Sequence, residues 1–467
     1  MAESFFMSYE TAVARMFALG HELAQTPSHK FDLAHMRGLL QALAHPERRF
    51  PSVLIAGTNG KGSTAATLAS ILRASGLKTG LYTSPHLVRI NERIRVNERE
   101  ISDDDFAALQ GKVDQVAEGL VEREELPWHP SFFEMMTAIA FEYFAREQVD
   151  LAVLEVGMGG RLDATNVVEP LVSVITDVAL DHQKFLGDTV SEIAREKAGI
   201  IRPGGTVVTL PQLAEANDVI GNTILDFGAR AVNAVPYVPP VSPASAHYLV
   251  SNSTKNKLIA ENAERTGESF YRYPLQVMGE QILVETSLVG RHQLRNVALA
   301  IATAVELKQL GFEQISPKTI ETGIRETRWP GRFEALATPG WPEMVVDVAH
   351  NPAGAWALRS ALSERYEDRR LILVFGAMRD KAISEMTEIL FPLAERVIAT
   401  RPENPRAASP EEIQQAAARM GAEIELIEDV GSALERARTL AGKDALVVIT
   451  GSIYLVGEVM RLFGTRI

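Results

Sequence analysis

A glycine-rich segment close to the N-terminus constrains the fold of this chain more than any other feature. Residues 57–63 read Gly-Thr-Asn-Gly-Lys-Gly-Ser and lie between an apolar run at 52–56 and a helical pattern at 64–74. Glycines allow backbone N–H groups to surround a phosphate at a helix N-terminus, and a lysine adds positive charge. The spacing is not that of the standard Walker A motif, because Gly62 separates the lysine from the serine. The segment predicts a strand, a phosphate-binding loop and a helix, and the alternative is a glycine-rich turn without a ligand.

The residues that follow alternate between short apolar runs and helical patterns. The runs are rich in β-branched residues and lie at 79–83, 151–156, 172–176 and 206–210. Such alternation is typical of a mostly parallel sheet with helices on both faces. We therefore expect an α/β fold for this part of the chain.

The segment from Arg328 to Phe333 contains proline and glycine. After it comes a second series of short apolar runs of the kind found in buried strands, at 344–348, 371–375, 396–399 and 446–450. Because proline and glycine are common where one domain ends, we place the main boundary in that segment. The prediction is a P-loop-containing α/β domain at 1–330 and a smaller Rossmann-like α/β domain at 331–467. A proline-rich stretch at 235–246 is not typical of a core element, so we expect a surface insertion at about 211–289.

Charge and composition exclude several classes of function. The chain has 467 residues, with 47 Lys and Arg against 60 Asp and Glu, and its formal net charge is −13. A field of this sign repels polyanions, so we expect no nucleic-acid partner. The absence of cysteine excludes disulfides, thiolate catalysis and cysteine-ligated zinc. No uncharged apolar run is long enough for a membrane span, and the N-terminus lacks the pattern of a signal peptide, so we expect no membrane partner and a cytoplasmic location.

A series of further motifs follows the glycine loop in a fixed order. They are SPHL from Ser84, EVGMGGRLDATN from Glu155, DHQKFLG from Asp181, REKAGI from Arg195, RHQLRNVALA from Arg291, WPGRFE from Trp329, DVAHNP from Asp347 and TGSIYLVGEV from Thr450. With the loop, this series resembles the folylpolyglutamate synthase/dihydrofolate synthase family, which belongs to the Mur-ligase-like ATP-dependent amide ligases. The resemblance covers nearly the whole chain.

The resemblance implies an ADP-forming acid–amino-acid ligase of folate biosynthesis. In this family ATP phosphorylates a substrate carboxylate, and the amine of L-glutamate then displaces phosphate from the acyl phosphate. The acceptor is dihydropteroate, a folate, or both. The implied partners are these small molecules and ATP, the implied cofactor is Mg²⁺ as two ions, and we expect a monomer.

The resemblance also implies the metal ligands Ser84, Glu155 and His182. These residues supply a hydroxyl, a carboxylate and an imidazole at the carboxyl ends of three predicted strands, where an open α/β sheet has its ligand crevice. Taken singly, they could be a capping serine, a solvated glutamate and a surface histidine. Lys197 matches a lysine that is carbamylated in the family, and a carbamate could hold a second Mg²⁺ that an ammonium would repel. Composition alone makes Lys197 an ordinary surface lysine.

The remaining implied site residues fall into three groups. The catalytic residues are Lys61, His182 and Lys197. The ATP-binding residues are Gly57, Thr58, Asn59, Gly60, Lys61, Gly62 and Ser63 of the loop, with Asn296, Arg332 and Asp347. The residues that bind the folate or pteroate acid are Asp32, Leu33, Ala34, Ser131, Leu162, Asp163 and Ala164. The alternatives for two of them are a hinge salt bridge for Arg332 and a helix cap for Asp347.

Two other functions are compatible with parts of the sequence. A peptidoglycan Mur ligase shares the loop and the lysine, but those enzymes place a nucleotide-sugar domain before the loop, and only 56 residues precede Gly57 here. A nucleotide-switched module without catalysis would not need the second α/β domain and its Asp347 loop. Turnover of ATP that requires both a pteroate-type acid and L-glutamate would distinguish the ligase from both.

Overall fold

The alternating apolar runs form two separate, mostly parallel sheets, each in its own part of the chain. The structure is a computed structural model that describes residues 7–20, 32–240, 271–421, 423–442 and 444–464. The chain divides into two compact units. The first comprises Met1–Tyr237, Gln276–Glu280 and Asn296–Glu326. The second comprises Val238–Leu275, Gln281–Arg295 and Thr327–Ile467. The last change of unit falls between Glu326 and Thr327, next to the segment where the sequence placed its boundary.

The first unit contains an eight-stranded sheet in the order β4-β3-β2-β5-β1-β6-β7-β8. Its strands are β1 (Ser52–Ala56), β2 (Thr79–Tyr82), β3 (Ile94–Val96), β4 (Arg99–Glu100), β5 (Leu151–Glu155), β6 (Val172–Ile175), β7 (Thr206–Thr209) and β8 (Arg230–Asn233). Only the pairs of β3 with β2 and with β4 are antiparallel. The central strand β1 lies between β5 and β6, and every one of its residues is buried, as expected for a parallel strand covered on both faces.

Helices flank the strands of this first sheet along the chain. They are α1 (Tyr9–Ala18), α2 (Leu33–Ala42), α3 (Lys61–Ala74), α4 (Asp103–Glu122), α5 (Phe132–Glu147), α6 (Gln183–Leu186), α7 (Val190–Ala198), α8 (Ala214–Asp226), α9 (Arg291–Gln309) and α10 (Pro317–Glu326). Their starts follow ordinary capping rules: Ser131 and Thr189 each form a capping box with a glutamate three residues on. No helix in the described part of the chain is both long enough and apolar enough to cross a membrane.

The region expected to be a surface insertion begins with residues that belong to this sheet. The helix α8 packs on α7, and β8 pairs in parallel with β7, from Thr206 opposite Arg230 to Thr209 opposite Asn233. Residues 241–270, with most of the proline-rich stretch, lie outside the described residues. After them come the two strands of a small sheet, β9 (Tyr271–Val277) and β10 (Glu280–Thr286).

The second unit contains a six-stranded sheet in the order β11-β12-β16-β13-β14-β15. The strands are β11 (Glu334–Leu336), β12 (Met344–Val346), β13 (Leu371–Phe375), β14 (Arg396–Ala399), β15 (Ile424–Leu426) and β16 (Leu446–Thr450), and the helices are α11 (Pro352–Arg365), α12 (Ile383–Leu390), α13 (Pro410–Ala416), α14 (Val430–Ala441) and α15 (Ile453–Leu462). Only β11 is antiparallel to its neighbour. The prediction of an α/β chain with mostly parallel sheets is confirmed.

Candidate active site

The glycine loop connects β1 to α3, as the sequence predicts. Gly60 has a left-handed backbone with φ of 88°, and α3 begins at the next residue, Lys61. The loop is tied to the segment that follows β6, because the N–H groups of Thr58 and Asn59 both donate to the carbonyl of Asp177, at 2.8 and 3.2 Å. Strand, loop and helix N-terminus therefore form the arrangement that binds anions in many α/β proteins.

Two glycines of the loop have no space for a side chain. A Cβ atom on Gly57 would lie 1.7 Å from Oγ1 of Thr176, and one on Gly60 would lie 2.2 Å from Oδ1 of Asn296. The second contact also locates Asn296, which lies in α9 and is 2% exposed. The structure thus brings Asn296 against the loop, where the family resemblance expects a nucleotide contact.

Two lysines converge on one carbonyl oxygen in the loop. Nζ of Lys61 donates to the carbonyls of Gly57 and Thr58, at 3.1 and 3.2 Å, and Nζ of Lys197 donates to Gly57 at 2.8 Å. Lys197 is 3% exposed, so the interpretation of a surface lysine is wrong. Burial and the nearby charge of Lys61 lower the pKa of Lys197 to about 7, although acidic groups, among them Asp181, act in the opposite direction.

The loop that follows β5 holds the end of the helix that carries Lys197. The N–H of Arg161 donates to the carbonyl of Glu196 at 2.8 Å, and its guanidinium pairs with the Glu196 carboxylate at 2.8 Å. Nδ2 of Asn166 donates to the carbonyl of Gly199 at 3.1 Å. A Cβ on Gly160 would lie 2.8 Å from the Glu196 carbonyl oxygen. Arg161 and Asn166 belong to the motif that starts at Glu155, but sequence reasoning gave them no role.

Two of the three expected metal ligands are neighbours at the carboxyl ends of adjacent strands. Glu155 ends β5 and is 4% exposed, and the backbone N–H of Ser84, just after β2, donates to its Oε2 at 3.2 Å. His182 lies directly before α6, and its N–H donates to Oδ1 of Asp181 at 2.8 Å. The same segment begins with Asp177, whose carbonyl accepts from the glycine loop.

In the described part of the chain, few protein side chains that could bind a metal ion lie around Glu155. Within the described residues, no group of three or more His, Asp or Glu side chains has the geometry of a metal site. Magnesium takes only one or two protein carboxylates and fills its other positions with phosphate and water oxygens. A single buried carboxylate beside Ser84 fits an ion that arrives with a nucleotide, and does not form a complete cage by itself.

The residues expected to bind the pteroate acid lie in three places, and several have local structural contacts. Asp32 caps α2 and accepts from the N–H of Ala34 at 2.9 Å, and Leu33 lies between them. Ser131 caps α5 and donates its hydroxyl to Oε2 of Glu134 at 2.7 Å. The third place is the loop after β5, where Leu162 and Ala164 flank Asp163.

Asp163 organises the loop that lies near Lys197. It is buried, and its carboxylate accepts from the N–H groups of Met158 and Thr165, both at 3.0 Å, and from the Thr165 hydroxyl at 2.5 Å. Burial raises its pKa, although these hydrogen bonds act in the opposite direction. The carboxylate therefore fixes the conformation of the loop.

A contact that sequence reasoning missed joins two of these places. Nδ1 of His35, in α2, lies 3.0 Å from Oε1 of Glu134, in α5. The segments at 32–34 and at 131 are far apart in the sequence, and this pair brings them together. No spacing in the sequence relates His35 to Glu134, so only the packing of α2 and α5 could have identified them.

In the second unit, Asp347 stabilises the backbone of two segments. It follows β12, is 8% exposed, and accepts from the N–H groups of Phe333 at 2.9 Å and Ala349 at 2.8 Å. Burial raises its pKa, and the charge of Arg332 acts in the opposite direction, so these two residues lie close together. The cap of α11 is Asn351, which accepts from the N–H of Gly354, so the helix-cap alternative for Asp347 is wrong.

Comparison with known proteins identifies the family. Residues 131–304 match the Mur ligase middle domain, and residues 331–453 match the Mur ligase, glutamate ligase domain. The dihydrofolate synthase/folylpolyglutamate synthase of Bacillus subtilis is 34% identical over 92% of this chain and 94% of its own. The chain belongs to the folylpolyglutamate synthase/dihydrofolate synthase family. It is therefore an ATP-dependent glutamate ligase of the Mur type.

Other members of the family agree with this assignment in sequence and in structure. The folylpolyglutamate synthase of Lacticaseibacillus casei is 36% identical over 97% of this chain and 98% of its own. The solved structure of Escherichia coli FolC in complex with DHPP and ADP matches with a TM-score of 0.78, at 27% identity over 98% of both chains. The ligase thus shares the whole architecture of its family, and not the loop alone.

Proposed function

We propose that this ligase uses ATP to join L-glutamate to dihydropteroate, to a folate, or to both. The observation that carries the proposal is the convergence of Lys61 and Lys197 on the Gly57 carbonyl, in the loop that leads into α3. This arrangement places Lys61 and the N-terminus of α3 where they could bind the phosphates of a nucleotide, with the amine of Lys197 beside them. The FolC structure with DHPP and ADP supports a pteroate-type acceptor and ADP as a product.

The proposed reaction has two steps. A carboxylate oxygen of the acceptor attacks the γ-phosphorus of ATP, and ADP leaves, which gives an acyl phosphate. The amine nitrogen of glutamate then attacks the acyl carbon, phosphate leaves, and the amine loses a proton to give the amide. The first step is needed because a free carboxylate resists attack by an amine. Positioning and charge stabilisation then supply most of the rate enhancement.

For ATP we propose the residues that the family resemblance implies. They are the glycine loop with Asn296, and the pair Arg332 and Asp347. Support for the loop comes from its position at the N-terminus of α3 and from Lys61. Support for the second pair is that Asp347 is buried and that its carboxylate interacts electrostatically with Arg332. We also propose that the chain works as two domains, 1–330 and 331–467, in a monomer in the cytoplasm.

Lys197 has the properties of an amine that can react with CO₂. Its pKa of about 7 leaves a substantial neutral fraction at neutral pH, and its side chain is removed from bulk water. In the proposed modification the amine nitrogen attacks the carbon of CO₂ and releases one proton, which gives a carbamate. The change replaces a cation by an anion beside Lys61.

We propose that Ser84, Glu155 and His182, with the carbamate of Lys197, hold two Mg²⁺ ions together with the phosphates of ATP. When bound, the ions would neutralise phosphate charge. The support is the buried Glu155 carboxylate beside Ser84, and the position of His182 on the segment that binds the glycine loop. Lys61 and His182 remain the proposed catalytic residues beside Lys197.

For the acceptor acid we propose a pocket that is lined from the three places named above. Asp32, Leu33 and Ala34 would contribute from the start of α2, Ser131 from the start of α5, and Leu162, Asp163 and Ala164 from the loop after β5. The contact of His35 with Glu134 supports the first two places as one surface. The charge interaction of Asp163 with Lys197 supports the third as the side that faces the reacting groups.

The experiment that tests the proposal is a measurement of ADP release with components omitted one at a time. ADP should form beyond one equivalent per enzyme only when Mg²⁺, the pteroate-type acid and L-glutamate are all present, because the acid is needed to receive the phosphoryl group and the amine is needed to discharge the acyl phosphate. Mass analysis of the product with dihydropteroate and with tetrahydrofolate then identifies the acceptor. Equal turnover with ATP alone would contradict the ligase function.

A further inference from the structure

Both ring nitrogens of His35 face atoms that can only accept a hydrogen bond. Nδ1 lies 3.0 Å from the carboxylate oxygen Oε1 of Glu134, and Nε2 lies 2.9 Å from the carbonyl oxygen of Trp128. A neutral imidazole carries one N–H, so it can satisfy only one of these acceptors. Both contacts are satisfied as hydrogen bonds only in the doubly protonated, cationic form of His35. The residue is 8% exposed, so water cannot replace a lost donor easily.

The surroundings of His35 favour the cation. The indole ring of Trp128 stacks on the imidazole, with ring centroids 5.6 Å apart and an angle of 28°. Two carboxylates act on the ring: Glu134 from α5 and Asp32 from the start of its own helix. Burial lowers the pKa of His35, but the interactions with Glu134, the Trp128 carbonyl and Asp32 outweigh it, and the pKa is raised above 6.5.

Glu134 extends this contact to the start of α5. Its Oε1 faces His35, and its Oε2 accepts from both the backbone N–H and the hydroxyl of Ser131, at 2.8 and 2.7 Å. One carboxylate thus joins the start of α5 to α2. The Ser131 hydroxyl is directed to Glu134, so its donor is committed to the protein.

We propose that cationic His35 is a positioning residue for the acceptor acid. It fixes the start of α2 relative to the start of α5, and it thereby holds residues 32–34 and Ser131 in place around the proposed pocket. This inference rests on the proposed function, which puts the acid in that pocket. Loss of the proton leaves a ring nitrogen lone pair against an oxygen, so one of the two contacts must open. The pocket then becomes less well ordered, and binding of the acid weakens without a change in the reacting groups.

The test is the pH dependence of KM for the acceptor acid, either dihydropteroate or tetrahydrofolate, at saturating ATP and glutamate. Between about pH 6 and 9, we expect KM to rise about tenfold as His35 loses its proton, while kcat at each pH differs less than about twofold between the parent and His35→Gln. A tenfold change corresponds to about 1.4 kcal/mol, the size of a hydrogen bond to a charged group. In His35→Gln, KM should be high at every pH and this transition should be absent.

A second variant guards against a folding defect in the first. Glu134→Gln keeps an acceptor toward Ser131 but removes the charge that favours the His35 cation, so the transition in KM should move to lower pH. Histidine ring NMR of the whole protein reports the same shift without activity: the His35 signals should titrate above 6.5 in the parent and at lower pH in Glu134→Gln. A purely structural pair would change the melting temperature and leave KM unchanged.

His129 provides a matched control on the same stretch of chain. Its ring nitrogens also face two acceptors, the Pro130 carbonyl at 2.9 Å and Oδ1 of Asp114 at 3.1 Å. Asp114 lies in α4 and also pairs with Arg15, so this histidine joins its segment to α4 and not to α2. His129→Gln should leave the KM profile of the acid unchanged.

The outcomes separate the inference from the function on which it rests. A KM profile in His35→Gln that equals the parent, or an equal change in His129→Gln, overturns the positioning role while the ligase stands. No turnover of any pteroate-type acid by the parent overturns both.

Discussion

Lys61 and Lys197 donate to the same carbonyl oxygen, that of Gly57, at 3.1 and 2.8 Å. Two amines this close repel one another when both are charged, and burial adds to the cost for Lys197. The two residues are therefore not equivalent. Lys61 starts the helix that faces the proposed phosphates, and Lys197 is the buried member whose pKa is lowered to about 7.

The first prediction concerns Lys61. Lys61→Ala should reduce the rate by a few hundredfold or more, because about 3 to 4 kcal/mol of stabilisation of the transition-state charge is lost. The measurement is kcat/KM for ATP, with the melting temperature as a check on folding. Lys318→Ala is the control, since the side chain of Lys318 is 75% exposed and lies outside the site. Unchanged kinetics in Lys61→Ala would mean that the loop is only structural.

The second prediction concerns the pH dependence of stability in buffer freed of CO₂. Between about pH 7 and the ordinary lysine value of 10.5, Lys197 has lost its proton in the native state but keeps it in the unfolded chain. Stability rises with pH wherever the unfolded state binds more protons, so the free energy of unfolding should rise across this range. Urea unfolding near pH 7 and near pH 10 measures it. Lys197→Met should lack this part of the slope, and an equal slope in the variant would contradict a buried amine of low pKa.

The third prediction concerns the loop that holds the end of α7. In Gly160→Ala, the new Cβ would lie 2.8 and 3.1 Å from the carbonyl oxygens of Glu196 and Lys197, so this backbone must shift. We expect a loss of stability of about 1 to 3 kcal/mol and a fall in kcat larger than the loss of folded protein explains. Gly221→Ala in α8 is the control, because nothing lies within 4 Å of the added atom. Equal kcat in the two variants would contradict the positioning of Lys197 by this loop.

The sequence predicted the parts of the site that rest on local patterns. The strand, loop and helix around Lys61 follow from glycine spacing, and the position of Glu155 at the end of a strand follows from the apolar run before it. Burial of Lys197 could not be predicted this way, because a lysine in a charged helical stretch has the pattern of a surface residue. Packing of α7 against the loop after β5 decides it.

Long-range contacts account for the rest of what was missed. His35 reaches Glu134 only because α2 and α5 lie together, and Asn296 reaches Gly60 only because α9 packs near the loop. The prolines after Val235 predict an insertion, which we place at about 211–289. Its β8 nevertheless continues the main sheet, since the alternation of helix and strand extends through α8.

The most direct test of the account is the rate of Lys197→Ala with and without a small carboxylic acid. If Lys197 carries a carbamate that holds a metal ion, the variant should lose most of its activity with the fold intact, because that metal ion would lose a protein ligand and no longer be held at the phosphates. Acetate or formate at high concentration should then restore part of the rate by occupying the vacated carboxylate position. The parental rate in the alanine variant would contradict the account, and an inactive, folded variant that neither acid restores would contradict the carbamate.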